Sequence, residues 1–154
     1  MLKAITLYEP FASLISIGAK INETRGQRTN HRGDICIHAA LKDYAVSEEI
    51  IPATIKAFRD RGIMPQLEWK GCILAVVDLW EVRPSADFIT CENVRPQFVT
   101  ISEEEKNFGN YNPNRWIYRT RNLRRLKTPI PCKGFQCVGW TVPPEIEKLV
   151  RAQL

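Results

Sequence analysis

The chain has 154 residues, 44% hydrophobic and 25% charged, enough to bury one core without disulfide or metal support. Twenty-two Lys and Arg against 17 Asp and Glu leave a net charge of +5, which by itself is a weak sign of a polyanionic partner. No run approaches the 18 apolar residues of a membrane span, and Glu9–Pro10 interrupts any signal-like stretch before Phe11. No membrane partner is therefore expected, and a cytoplasmic (intracellular) protein is.

Ten prolines and eight glycines predict many short elements joined by tight turns. Residues 3–7 alternate and read as a first strand. Glu9-Pro10 opens a helix with Pro in the first turn, where its missing N–H costs nothing. Phe11, Leu14 and Ile15 form the apolar stripe of that helix, and Gly18 ends it. Residues 20–25 predict a short strand, and 34–39 a core strand with Ile35 and Ile37 inward and Cys36 and His38 on the opposite face. A second helix over about 52–61 puts Ile51, Ile55 and Phe58 on one face.

Residues 71–82 are the strongest strand signal, nearly unbroken in apolar character up to Asp78, as a central strand should be. Residues 83–113 read as a long irregular connection with a helical turn near 102–108, a length of loop that is often functional. Strands follow at 116–123 and 136–141, separated by a turn at 129–134. A terminal helix opens at Pro143-Pro144 with Ile146, Leu149 and Val150 inward. One domain over 1–154, of mixed α+β class with helices around a sheet that curls into a small barrel, fits this order.

Charge placement says more than net charge. Between Pro113 and Lys133 stand seven basic residues and no acid, while acids gather at 48–49, 103–105 and 145–147; such segregation steers anions. Arg115, Arg119 and Arg121 share strand parity, presenting guanidinium forks to phosphate or, alternatively, a charged edge that resists aggregation. The five cysteines form no paired ligand pattern, and two histidines without a carboxylate cluster make no metal site; no metal and no cofactor is expected. His38 is either a hydrogen-bonded structural histidine or a cleft residue. Asp78, the one acid of the central strand, either bonds a neighbouring strand or pairs with a cation.

Several blocks resemble the ASCH domain: Glu9-Pro10-Phe11-Ala12, Gly18-Ala19-Lys20-Ile21-Asn22-Glu23-Thr24-Arg25, and the run from Arg32 to Ala40. So do the block from Phe108 to Trp116 and Pro129-Ile130-Pro131-Cys132-Lys133-Gly134. The resemblance covers nearly the whole chain and implies a PUA-like β-barrel with an RNA- or nucleotide-related role. It also implies relatives that are hydrolases, some cleaving single-stranded RNA and others deacylating a modified cytidine. The deacylases use the motif lysine, a threonine three residues on and a distant glutamate; here Glu23 stands at the threonine's position. Glu9 and Phe11 stand where Gln and Trp are usual.

A Lys20–Glu23–Arg25 cluster suits binding an anion or a base edge, because Glu23 favours the charged ammonium over the neutral amine a nucleophile needs. The expected partner is RNA, another single-stranded nucleic acid or a nucleotide-like small molecule. It would lie in a cleft between the first helix, the 18–25 motif and the 108–119 segment. Lys20, Glu23, Arg25 and His38 would meet it there with Tyr8, Phe11 and Tyr111 as stacking rings, and Arg115, Arg119 and Arg121 would extend the track. The alternatives are a metal-independent hydrolase with Lys20 and Glu23 catalytic, and a protein-interaction module in transcription coactivation.

Overall fold

The apolar run after Gly71 becomes the axis of the fold. In a computed structural model that describes residues 1–43, 45, 47–64, 69–89 and 99–154, it forms β4, Cys72–Pro84. Both of its edges are paired and both of its faces are buried, and the burial of both faces is why it needs few polar side chains. One neighbour is β3, Gly33–Ala39; the other is β7, Trp116–Pro131. Beyond β7 lies β2, Asn22–Arg25, and beyond β3 lie β1, Lys3–Leu7, and β8, Trp140–Thr141. The order is β2-β7-β4-β3-β1-β8; β1 pairs with β3 in parallel, and the other pairings are antiparallel.

Among the described residues, four α-helices complete the mixed α+β class: α1 Phe11–Ser16, α2 Ile50–Asp60, α3 Glu103–Asn107 and α4 Pro144–Arg151. Strand alternation divides the core. Ile5, Leu7, Ile35, Ile37, Val77 and Leu79 pack on the α1 side with Tyr118. Ala4, Cys36, Val76 and Leu126 point the other way and are covered by Val150 of α4 and Trp140. A third cluster joins Leu14 and Ile17 at the end of α1 to Ala57 and Phe58 of α2 and to Phe108.

The sheet is not a closed barrel: β2 and β8 are edges. It is nevertheless strongly curled. Three strands separate β2 from β1, so a flat sheet would hold them about 19 Å apart at ~4.8 Å per strand. Yet the Arg25 guanidinium Nη2 on β2 donates to the Thr6 carbonyl on β1 at 2.6 Å. One side chain thus bridges the seam where a barrel would join by backbone pairing. Register shifts along β4–β7 at 73/75, 76/78 and 79/81 supply bend of the kind that bulges give.

Several boundaries differ from the sequence reading. β7 runs eight residues past the predicted end at 123, because Arg124, Arg125 and Ile130 still find partners on Val76, Ala75 and Ile73. β8 is correspondingly short. Ile51 and Ile55 are exposed, since α2 turns Thr54, Ala57 and Phe58 to the core instead; Leu149 of α4 is also exposed, while Val150 is buried. Within 83–113, a 3-10 turn at Ser85–Asp87, the parallel pair β5 Phe88–Ile89 and β6 Val99–Thr100, and α3 are resolved. Cys91 and the middle of that connection lie outside the described residues.

Candidate functional site

The seam between β1 and β2 opens into a cleft of about 430 Å³. Thr6, Leu7 and Tyr8 form one side where β1 gives way to α1, whose first residue, Phe11, adds its ring. Glu23, Thr24 and Arg25 form the other side, and residues 107–110 with Arg115 close the end. Of the ten residues singled out from sequence, Tyr8, Phe11, Glu23, Arg25 and Arg115 meet here. The curl that brings β2 to β1 is what assembles them.

Lys20 lies behind this surface. After α1 the chain turns through Gly18 at φ +73°, a left-handed conformation that favours glycine, and the Ala19 and Lys20 N–H groups both donate to Leu14 O at 3.0 and 3.1 Å. This turn carries the lysine inward, to 1% exposure. Its ammonium donates to the Asn22 carbonyl and stands 3.2 Å from Glu23 Oε2. Glu23 Oε1 in turn lies 3.1 Å from Arg25 Nε. A +, −, + sequence of charge therefore runs from the interior to the cleft, with Glu23 the shared anion.

The end wall hangs on Glu105, which is buried on α3. Its carboxylate accepts the Ile21 N–H at 2.8 Å and the Asn22 N–H at 2.9 Å, two donors at the start of edge strand β2 that have no β-ladder partner at that point. Tyr111 donates its hydroxyl to Glu105 at 3.3 Å and accepts from Asn22 Nδ2. It is wedged behind the wall against Phe88 rather than lining the cleft. Burial, and then the Glu105 carboxylate, push its phenol well above the ordinary range. Thr24 Oγ1 accepts from the Asn110 N–H at 3.2 Å, which fastens the wall to β2.

Arg115 differs from Arg119, Arg121 and Arg124 of its run. Nη2 donates to Thr24 O at 3.0 Å, Nε is buried without a partner, and no carboxylate pairs with it among the described residues. Arg119 and Arg121 lie outside the cleft. Arg119 pairs with Glu81 at 2.6 Å, Arg121 with Asp78 at 2.7 Å, and both sit over the Trp80 ring. Arg124 pairs with Asp34. Burial would raise the Glu81 carboxyl, but bonds and charge from Arg119 and Arg83 outweigh it and hold the group below its usual range. Three of the seven basic residues of the run are thus paired with acids of β3 and β4.

His38 is also elsewhere. On the outer face of β3 with Cys36, its ring lies 2.9 Å from Cys132 O and 3.2 Å from Thr6 Oγ1, edge-on to Trp140. Burial lowers its pKa, so the neutral ring is favoured. Among the described residues no group of three or more His, Cys, Asp or Glu could hold a metal ion, and no helix is long and apolar enough to cross a membrane. Sequence reading missed Glu105 and Glu81. The Ser102-x-x-Glu105 spacing marks a helix start, and Ser102 does cap α3, but nothing local reveals that the Glu105 side chain caps a strand 83 residues away.

Residues 5–124 match the family model for the ASCH domain. Among curated proteins, the chain is similar to Activating signal cointegrator 1 of Homo sapiens and of Mus musculus. Identity is 27% over 132 residues in each case, covering 84% of this chain and 20% of the relative. The chain spans about a fifth of the length of these relatives.

Proposed function

The chain belongs to the ASCH domain family, and from that premise we propose that it binds single-stranded RNA, or a nucleotide-sized part of it, in the seam cleft of a PUA-like fold. One observation carries the reading: two guanidiniums, Arg25 and Arg115, share a cavity of about 430 Å³ with the rings of Tyr8 and Phe11. Arginine forks suit phosphate or a base edge, and the rings offer stacking surfaces that tolerate any base. Arg115 is the phosphate contact, because its charge is not already spent on a carboxylate. Glu23 accepts from a base amino group, and Lys20 acts through Glu23 by balancing its charge.

The test is fluorescence anisotropy with a labelled single-stranded RNA across a salt series. Arg25→Ala combined with Arg115→Ala lowers affinity at least tenfold, since hydrogen bonds to charged groups contribute about 1.5–3 kcal/mol each. Affinity of the intact chain falls steeply with salt; absent or salt-insensitive binding would sink the proposal. Incubation with single-stranded RNA and acylated cytidine in excess chelator tests the hydrolase alternative. Turnover that vanishes in Lys20→Ala replaces binding with catalysis. The interaction-module alternative draws on exposed Ile51 and Ile55 of α2, and it predicts that their replacement by Ser leaves RNA affinity unchanged while abolishing a protein contact.

A further inference from the structure

A second groove, of about 440 Å³, flanks α1 on the side away from the seam cleft. At 100° per residue, Ser13 and Ser16 stand about 200° and 140° around the helix from Phe11. Phe11 lines the seam cleft, and the two serines line the other groove. The same short helix therefore forms the ridge between two hollows.

Strand alternation on β7 decides the chemistry of this groove. Leu126 is buried in the cluster with Val150 of α4, while Arg125 and Lys127, one residue either way, are exposed; all three border the groove, and the two cations reach its open side. Arg119, Arg121 and Arg124 are matched by Glu81, Asp78 and Asp34, whereas Arg125 and Lys127 pair with no carboxylate among the described residues. Among the described residues no acid lines the groove. Trp69, 40% exposed, adds an indole face over a bed of Phe58 and Leu74.

The two serine hydroxyls have their protons committed. Ser13 donates to Glu9 Oε1 at 2.8 Å and Ser16 to Ser13 O at 2.8 Å. Each can accept but has no hydrogen left for a phosphate, so an anion is directed to the Arg125–Lys127 end. The serine end suits a donor, such as a ribose hydroxyl.

We propose that this groove is a second nucleotide site for the same strand of RNA. Arg125 and Lys127 take a phosphate, Trp69 stacks a base, and Ser13 and Ser16 accept from the sugar. The inference rests on the seam cleft's reading as an RNA site, and it extends the footprint across the α1 ridge. A strand of several nucleotides then binds more tightly than one filling the seam cleft alone.

The probes are fluorescein-labelled oligouridylates of two and eight nucleotides, titrated by anisotropy against the intact chain, Arg125→Ala/Lys127→Ala, Trp69→Ala and Arg25→Ala/Arg115→Ala. The 125/127 variant is expected to lower affinity for the eight-mer at least fivefold and its salt slope by about 0.7–1.4, one or two phosphates at ~0.7 each for a single strand. The dimer is expected to be unaffected. Trp69→Ala should weaken the eight-mer without changing the slope, because a stacked base releases no counterion. Arg125 and Lys127 are exposed, and unchanged melting of their variant shows that the fold is intact. If the eight-mer binds, depends on Arg25 and Arg115, and ignores Arg125, Lys127 and Trp69, the second site is overturned and the first stands. Absence of any binding by the intact chain overturns both.

Discussion

Removing Glu23 and removing Lys20 should have unequal effects on stability, and the inequality follows from the geometry. Lys20 is 1% exposed, with Asn22 O and Glu23 as its partners. Glu23→Ala leaves a buried ammonium with one carbonyl, and breaking a buried pair by deleting one partner costs about 3–5 kcal/mol. Glu23 is itself 14% exposed and also pairs with Arg25; at the lower end, about 3 kcal/mol, melting drops by roughly 6–12 °C for a chain of this size. Lys20→Met keeps the buried stem volume and leaves Glu23 paired with Arg25, so about 1 kcal/mol is expected, as for volume-conserving swaps. Urea unfolding followed by tryptophan fluorescence measures both. A Lys20→Met cost equal to or above that of Glu23→Ala would refute the view that the lysine depends on the glutamate.

Gly134 lies against the His38 ring, where an added Cβ would stand 2.2 Å from Cε1. Gly134→Ala should therefore destabilise by about 1–3 kcal/mol, and an unchanged urea midpoint would show the 132–139 segment to be free to shift. Burial holds the His38 pKa below its ordinary value of about 6.5. The stability tied to the neutral ring is complete above about pH 6.5 and is lost as pH falls through the folded-state value. Melting temperature should decline from pH 7 to 5 and flatten over that range in His38→Gln; an equally steep decline in the variant counts against the histidine. Glu105→Ala strands the Ile21 and Asn22 amides at about 1–3 kcal/mol for each unsatisfied donor. Hydrogen exchange should quicken at those two amides and stay slow across β4, and protection retained at both would mean the carboxylate is not their cap.

Much of the fold was legible because its signals are local. The apolar run of β4, the alternation that puts Ile35 and Ile37 opposite Cys36 and His38, and the Phe11–Leu14–Ile15 stripe each follow from side-chain direction within a few residues. Helix faces were harder. Ile51 and Phe58 both fit an apolar stripe on α2, but the angle at which α1 and α3 meet that helix buries Phe58 and leaves Ile51 out. The motif residues Glu23 and Arg25 were placed correctly side by side, since residues two apart on a strand share a face.

What sequence alone determined, then, is where the central strands and the helices lie, though not where each one ends, and where positive charge is concentrated along the chain. Tertiary structure decided which of those charges remain available. Arg119, Arg121 and Arg124 looked like an open track, and pairing with β4 and proximity to β3 delivered Glu81, Asp78 and Asp34 to them across 38, 43 and 90 residues. Lys20 looked accessible, and the turn after α1 buried it. The physical reason is common to both: a side chain's direction is set by its own backbone, but its partner is set by strand register and sheet curl, which depend on contacts far apart in the chain. Those same long-range contacts brought β2 to β1 and made the seam into a cleft.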